Sequence, residues 1–219
     1  MNDTTSSADF DKGLTAYNSS DFATALREWM PLAKQGNAVA QNNLGVMYDN
    51  GLGVPQNDKT AVKWFRLAAK QGFADAQNNL GFMYRNGQGV PQNHKTAVKW
   101  YELAAEQGNA SAQYNLGLMY DKGRGVLQDY KTALKWYRLA AKQGNASAQT
   151  NLGTMYDRGT GVLQDYVRAH MWFNIAASSG KSKNASKNRD IVAKKTFSSQ
   201  IETAQKLARE CVRKKYKGC

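Results

Sequence analysis

Residues 38–48 have the sequence Ala38-Val39-Ala40-Gln41-Asn42-Asn43-Leu44-Gly45-Val46-Met47-Tyr48. The same phrase, Ala-x-Ala-Gln-x-Asn-Leu-Gly-x-Met-Tyr, begins again at Ala74, Ala110 and Ala146, with a constant period of 36 residues. A second phrase, residues 60–69, recurs at the same interval and ends in a looser copy at residues 168–177. A period of this length, built from two segments, predicts pairs of helices that bury their apolar faces only against neighbouring repeats.

The apolar residues of the phrase have helical spacing. Ala40, Leu44 and Met47 fall at i, i+4 and i+7, which places them on one face of a helix. The segment between the two phrases, residues 51–57, contains two glycines and a proline, which end a helix and prevent its continuation. Gly45 lies inside the predicted helix, where glycine costs about 1 kcal/mol relative to alanine, so we expect another helix to approach closely there.

The repeats divide the chain into three predicted parts. Residues 38–180 hold four repeats, and residues 1–37 hold a polar leader followed by a shortened repeat that caps the array. Residues 181–219 predict two further helices that depart from the consensus and form a basic cap. Such caps are expected because the outer face of a terminal repeat has no neighbour to cover it.

The positive charge is concentrated at the C-terminal end. Of the net charge of +13, residues 181–219 contribute +9, from twelve basic and three acidic side chains. This excess keeps one alternative function open, which is binding of a polyanion or of the cell envelope surface through the basic cap. The pattern predicts no specific nucleic-acid partner.

The sequence leaves the compartment open. Its apolar runs are shorter than the ~18 residues of a membrane span, and residues 1–7 lack the basic and apolar parts of a signal peptide. A polar leader of this kind is also what remains after a signal peptide is cleaved. We therefore favour a periplasmic or secreted protein, with a cytoplasmic one as the alternative, and expect a monomer.

Several phrases together resemble one family. They are the phrase at residues 38–48, the loop Gly51-x-Gly53-Val54-Pro55-Gln56, the phrase Lys63-Trp64-Phe65-x-x-Ala68-Ala69, the opening Gly13-Leu14-x-Ala16-Tyr17 and the ending Asn188-Arg189-Asp190. They resemble the Sel-1-like repeat, a relative of the tetratricopeptide repeat. The resemblance implies a right-handed α/α superhelical solenoid that acts as a protein-interaction scaffold, often exported in bacteria, with no chemistry of its own.

Positions that vary between the repeats predict where a partner binds. On the first helix they recur at i, i+3 and i+7, which forms a second stripe distinct from the core stripe. By resemblance these inner helices line a concave groove that holds a protein or peptide, and unconstrained surface is the competing interpretation. The candidate partner-binding residues are Asn42, Val46, Asn78, Phe82, Arg85, Tyr114, Leu118, Thr150 and Thr154. The residue that follows the variable position 42 is Asn in every repeat, at residues 43, 79, 115 and 151. This invariance favours a structural hydrogen bond to a loop or to backbone.

The sequence gives little support for catalysis, a metal or a cofactor. The two histidines, His94 and His170, have no companions at metal-ligand spacing, and no phosphate-binding loop is present. Ser178 and Lys181 match Ser-x-x-Lys, but they lie at a glycine that ends a helix and lack the other motifs of such enzymes. We therefore predict a non-enzymatic protein, with a hydrolase or β-lactam binder as a distant alternative.

The two cysteines lie close together in the chain. Cys211 and Cys219 would be about 12 Å apart in one continuous helix, beyond the ~7 Å that a disulfide spans, so a bridge requires the helix to end first. Gly218 offers a place for the chain to turn back, and free thiols are the alternative. The spacing also resembles that of bridged pairs in cysteine-rich Sel-1-like proteins. A bridge would indicate an oxidising compartment.

Overall fold

The structure is a computed structural model that describes residues 9–180, 182 and 184–219. Residues 1–8, which hold the predicted leader, lie outside the described residues, as do Lys181 and Lys183. The described residues form twelve helices and no strand: α1 Phe10–Asn18, α2 Phe22–Lys34, α3 Ala38–Asn50, α4 Asp58–Lys70, α5 Ala74–Asn86, α6 His94–Glu106, α7 Ala110–Lys122, α8 Tyr130–Lys142, α9 Ala146–Arg158, α10 Tyr166–Ser178, α11 Ala185–Ala193 and α12 Ser198–Arg213. The predicted all-α solenoid of 36-residue repeats is confirmed.

Side-chain caps and glycines fix the ends of the helices. The side chain of Asn37 accepts a hydrogen bond from the first turn of α3, and that of Asn57 does the same for α4. Gly51 ends α3 in the left-handed region at a φ of 68°, which costs glycine no steric penalty. These caps recur in the other repeats, with Asp129 and Asp165 in the place of the second Asn, except at α5, where Phe73 replaces the first Asn and gives no side-chain cap.

A close approach explains the glycine inside each first helix. A Cβ atom on Gly45 would lie 2.5 Å from the ring of Phe65, and one on Gly117 would lie 2.8 Å from the ring of Tyr137. The aromatic residue of each second helix therefore packs against the bare backbone of its partner helix. The predicted close helix contact is confirmed, and it offsets the low helix propensity of glycine.

The chain divides into two compact units, one ending at Gln107 and the other beginning at Gly108. In the first, α1 packs with α2, α3 with α4 and α5 with α6, and each pair packs on the next. In the second, α7 packs with α8, α9 with α10, and α8 with α9. The last two helices, α11 and α12, pack on α10, and their role as a cap stays a prediction.

Buried glutamines join helices within each unit. Gln41 donates a hydrogen bond from Nε2 to the carbonyl oxygen of Ala33, and its Oε1 accepts one from Gln71 at 2.8 Å. Gln77 bonds Ala69 and Gln107 in the same way. Gln41 and Gln77 thus each tie the ends of two second helices to one first helix, because a buried amide needs partners. Gln149 bonds only Ala141, and its Oε1 has no partner among the described residues.

The C-terminal end closes with a disulfide between Cys211 and Cys219, whose Cα atoms are 5.8 Å apart. Helix α12 ends at Arg213, and the chain turns back through Lys215, Tyr216 and Gly218, which all have positive φ. The helix thus ends between the two cysteines, as the spacing required, and the turn begins earlier than the predicted Gly218.

Candidate partner-binding surface

In the first unit, the predicted partner-binding residues have unequal surroundings. Asn42 is buried, and its Oδ1 accepts a hydrogen bond from Nδ2 of Asn79 at 3.0 Å. Asn78 in turn donates to Oδ1 of Asn79 at 3.4 Å. Phe82 is exposed on α5, and the guanidinium of Arg85 lies 5.0 Å from the centre of its ring. Asn42 therefore belongs to a ladder of hydrogen-bonded side chains, whereas Phe82 is exposed beside the guanidinium of Arg85.

The invariant Asn has a different partner from the one expected. Asn79 donates to the side chain of Asn42 in the preceding repeat, and Asn42 donates to Oδ1 of Asn43 at 3.5 Å. Neither bond involves a loop or the backbone. Side-chain amides pair here because the first helices of consecutive repeats lie side by side.

In the second unit, the predicted residues separate into two groups. The hydroxyl of Thr150 donates to the carbonyl of Ala146 at 2.8 Å and shares a hydrogen bond with Ser182, so its polar group is satisfied within the chain. Tyr114, Leu118 and Thr154 instead line one cavity, which lies between α7 and α9 and has a volume of about 270 Å³.

This α7/α9 cavity has a polar and an aromatic side. Its floor is Tyr137, whose ring centre lies 5.9 Å from that of Tyr114. Asn151 and Thr154 contribute polar groups from α9. The remaining wall residues are Asp121, Lys122, Tyr130, Met155, Arg158 and Thr160. Lys122 forms an ion pair with Asp121 at 2.9 Å, and Arg158 adds a second positive charge to this wall.

The floor of the α7/α9 cavity carries an unsatisfied polar atom. Tyr137 is 1% exposed, and its hydroxyl has no hydrogen-bond partner among the described residues. Burial raises the pKa of Tyr137, and the negative charge of Asp121 raises it further. The side chain of Asn151 opposes this shift in pKa, so its amide lies near the hydroxyl although the two do not meet in hydrogen-bonding geometry.

A corresponding cavity lies between α1 and α3 in the first unit. It has a volume of about 220 Å³ and is lined by Leu14, Tyr17, Asn18, Trp29, Asn43 and Val46. Its floor, Trp29, packs against Gly13 as Tyr137 packs against Gly117. The indole Nε1 of Trp29 donates to the carbonyl of Phe10 at 3.2 Å, so this floor is satisfied.

Sequence patterns missed the floors of both cavities. Tyr137 occupies the invariant aromatic position of the second helix, which predicts core packing and nothing more. The signal that was available is the replacement of Phe, found at residues 65 and 173, by Tyr at residues 101 and 137, because a buried tyrosine needs a partner for its hydroxyl. Asn151 was missed because invariance favours a structural role.

The other groups considered for chemistry are separate from these cavities. His170 is buried in α10, and burial lowers its pKa, with a further contribution from Arg189. The hydroxyl of Ser178 donates to the carbonyl of Ile175, and the Lys181 of the Ser-x-x-Lys match lies outside the described residues. Within residues 9–180, 182 and 184–219, no three His, Cys, Asp or Glu side chains cluster as a metal site. No helix in the described part of the chain has the length and apolarity to cross a membrane.

Comparison with solved structures gives close matches. The c5321 protein, described as a protective antigen present in uropathogenic Escherichia coli strains displaying an SLR fold, is 35% identical with a TM-score of 0.88. That match covers 94% of this chain but only 46% of c5321, so the chain spans less than half the length of that relative. A Sel1 repeat protein from Oxalobacter formigenes is 36% identical, with a TM-score of 0.78, and the match covers 93% of this chain and 82% of that one.

Sequence comparisons give one family. No curated protein sequence matches the chain. The family model for the Sel1 repeat matches four consecutive segments, residues 38–73, 74–109, 110–145 and 146–181. These segments coincide with the repeats and with the helix pairs of the structure. The chain therefore belongs to the Sel1 repeat family.

Proposed function

We propose that this protein is a non-enzymatic scaffold that binds a protein or peptide through the first helices of its repeats. Sel1 repeat proteins generally mediate protein–protein interactions, and the family is generally non-catalytic. The proposal adds one contact region in each unit to that general role. They are the exposed side chains of α5 in the first unit and the α7/α9 cavity in the second.

One observation carries the proposal. Three of the predicted partner-binding residues, Tyr114, Leu118 and Thr154, lie in the wall of one cavity. If the variable positions were only unconstrained surface, they would have no reason to line a concave site together with aromatic and apolar groups. Pockets that combine such groups with a few polar atoms are where partners anchor.

Phe82 and Arg85 support the same proposal in the first unit. Phe82 is 37% exposed, and the guanidinium of Arg85 covers one face of its ring. Aromatic and Arg side chains carry a large share of the energy at protein interfaces because they bury much area with few rotatable bonds.

A crosslinking pull-down from the native organism tests the proposal. The bait is the intact protein, and the variant combines Phe82→Ala, Tyr114→Ala and Leu118→Ala after its helical content has been shown to be unchanged. We expect one specific protein to be lost from the variant, because truncation of central anchors costs about 2 kcal/mol or more each.

A matched variant controls for lost apolar area. Leu67, Leu103 and Leu139 are exposed on the second helices, and their combined replacement by Ala removes a similar amount of apolar surface. This control should retain the partner. Equal recovery of every protein by all three baits would reject the proposed surface.

A second candidate function rests on the basic C-terminal end. Arg168, Lys214 and Lys217 line a cavity of about 210 Å³ beside the disulfide, with Glu210 as the acidic residue of its wall. Cations around a concave site attract anionic partners. Retention on immobilised heparin that falls steeply with salt, and that weakens with Lys214→Ala and Lys217→Ala, would favour this alternative.

A further inference from the structure

An apolar groove lies between α10 and α12 in the second unit. It has a volume of about 380 Å³ and is lined by Asn174, Ile175 and Ser178 from α10 and by Ala208, Arg209, Val212 and Arg213 from α12. Ile175 is 2% exposed and Ala208 is 3% exposed, so they form the floor, whereas Val212 is 45% exposed and forms a wall. This α10/α12 groove belongs to a second helix and the C-terminal end, and it is separate from the first-helix surface of the proposed function.

The other repeats show what α12 does at this place. Ile175 corresponds to Leu67, Leu103 and Leu139, which are between 37% and 47% exposed on their second helices. In the fourth repeat, α12 packs on α10, and Ile175 is buried. The side of a helix is therefore what covers this position in the chain itself, and α12 leaves the apolar side chain of Val212 beside it half-exposed.

The two edges of the groove carry different groups. Arg209 and Arg213 are four residues apart, so they lie on one side of α12 and make that edge basic. Both are exposed, and neither forms an ion pair with a carboxylate among the described residues. On the opposite edge, the hydroxyl of Ser178 donates to the carbonyl of Ile175 at 2.8 Å, and Oδ1 of Asn174 accepts from Arg189 at 3.5 Å. The described residues that line the groove include no Asp or Glu, so it presents apolar area and uncompensated positive charge.

We propose that the α10/α12 groove binds an amphipathic helix of a protein partner, with its apolar face in the groove and two carboxylates on Arg209 and Arg213. The partner helix packs against α10 and α12 as a third helix. Its apolar side chains cover Ile175, Ala208 and Val212. This surface is additional to the one in the proposed function and does not depend on it.

The chemistry of the groove favours an acidic helix. A helix pairs its own backbone groups, whereas an extended segment needs hydrogen bonds that this apolar groove does not offer. Residues four apart rise about 6 Å along a helix, so two carboxylates at that spacing match Arg209 and Arg213. A guanidinium binds a carboxylate through two parallel hydrogen bonds, and a basic helix would be repelled.

Fluorescence anisotropy with three labelled synthetic peptides tests this inference on the full chain. The first peptide is a helix with Leu on one face and Glu beside that face, and the second has Lys in place of Glu. The third has the composition of the first in an order that breaks the apolar face. In about 0.15 M salt we expect a Kd on the order of 100 μM for the first peptide and at least about tenfold weaker binding of the others.

Variants with unchanged circular dichroism separate the groove from the overall charge of the chain. Arg209→Ala combined with Arg213→Ala should weaken binding of the first peptide about fivefold to tenfold, because each exposed ion pair contributes up to about fivefold. Arg124→Ala combined with Lys131→Ala removes the same charge from exposed positions elsewhere in the second unit and should leave binding unchanged.

The apolar contact has its own variant and its own signal. Val212→Ser shortens the half-exposed wall and should weaken binding about threefold or more. The methyl resonances of Val212, assigned by their loss in this variant, should shift saturably when the first peptide is added to the parent chain. Unchanged Val212 resonances at saturation would mean that the peptide binds elsewhere, and the inference would fail.

Other results overturn the inference in distinct ways. Equal binding of the first and third peptides, or equal losses in the two charge variants, would mean that the chain attracts acidic peptides by net charge alone. Equal binding of the Lys peptide would identify an apolar groove without charge selection. Binding to phosphatidylglycerol vesicles that is lost in Val212→Ser, with no binding of the first peptide, would assign the groove to a membrane surface. The combined Phe82→Ala, Tyr114→Ala and Leu118→Ala variant should bind the first peptide as the parent does, so either proposal can fail without the other.

Discussion

The α1/α3 cavity and the α7/α9 cavity have the same framework and different chemistry. In each, a helix glycine is followed by a leucine of the wall, Leu14 or Leu118, and an aromatic residue of the second helix forms the floor. The floor of one is Trp29, whose indole is hydrogen-bonded at 3.2 Å. The floor of the other is Tyr137, whose hydroxyl is unpaired. The repeat thus sets the position of the cavity, and the residue at its floor decides whether the polar group there is hydrogen-bonded.

The walls of the two cavities also differ in polarity, and the α7/α9 cavity again has the more polar groups. Tyr17 and Val46 make the α1/α3 cavity largely apolar, and the corresponding positions of the α7/α9 cavity hold Asp121 and Thr154. A cavity whose polar groups are all hydrogen-bonded contributes to stability, whereas one with an unpaired polar group costs stability and suits binding. We therefore expect the first cavity to be structural and the second to be functional.

Removal of the Trp29 side chain, the floor of the α1/α3 cavity, should have the largest effect on the free energy of unfolding. Trp29→Ala deletes a side chain that is 1% exposed, so we expect the free energy of unfolding to fall by about 3–5 kcal/mol. Urea denaturation followed by circular dichroism measures it. Leu14→Ala, in the exposed wall of the same cavity, should cost less than about 1 kcal/mol. Equal costs for the two variants would show that Trp29 is not the centre of this packing.

Displacement of the Tyr137 ring from α7 should lower the free energy of unfolding by a smaller amount. A Cβ atom on Gly117 would lie 2.8 Å from the ring of Tyr137, so Gly117→Val forces the ring to move, and we expect a loss of about 2 kcal/mol. Ser111→Val places the same side chain on an exposed position of α7 and is the control. If both variants unfold at the same urea concentration, the close helix contact is not needed for stability.

Alkaline pH should distinguish the tyrosine floor from the tryptophan floor. Burial raises the pKa of Tyr137 above its usual value near 10, and burial raises the pKa of Tyr101 to about 12. The folded state favours the neutral phenol. The resulting contribution to the free energy of unfolding is fully present below pH 10 and is lost as the pH rises toward the pKa of Tyr137 in the folded chain. At about pH 11.5 we expect Tyr137→Phe to unfold less readily than the parent by about 1–2 kcal/mol.

The measurement is a series of urea denaturation curves between pH 8 and pH 11.5. Trp29 does not titrate, so a Trp29→Phe variant should show the same pH dependence as the parent. A Tyr137→Phe variant with unchanged pH dependence would mean that Tyr137 ionises as readily in the folded chain as in the unfolded one.

Loss of the hydroxyl at neutral pH should have the smallest effect. Tyr137→Phe deletes an unpaired buried group and keeps the ring, so we expect a change in the free energy of unfolding within about 0.5 kcal/mol at pH 7. Urea denaturation at that pH measures it, with Tyr101→Phe as the comparison. A loss above about 1 kcal/mol would reveal a hydrogen bond that satisfies Tyr137 and would remove the basis for a binding role.

Much of the fold followed from spacing in the sequence. The period of 36 residues predicted the paired helices, and the glycines and capping residues predicted where most of them end. The end of α12 was less predictable, because the chain turns back at Lys215 and Tyr216, residue types that rarely adopt positive φ. Part of the lining of the α7/α9 cavity was predicted from the sequence, and its role in binding stays a prediction. Tyr114, Leu118 and Thr154 were found from their variation, whereas Asn42 proved to be buried in a ladder of amides.

The sequence by itself determined the repeat, its helices and their glycine contacts, because these depend on local propensity and on spacing that every copy shares. Only the tertiary structure decided which polar groups find partners. Asn79 and Asn151 are the same residue in the same phrase, yet one is satisfied by Asn42 and the other faces a cavity beside Tyr137. That difference depends on which side chain the neighbouring helix places opposite each amide, and packing in three dimensions sets it.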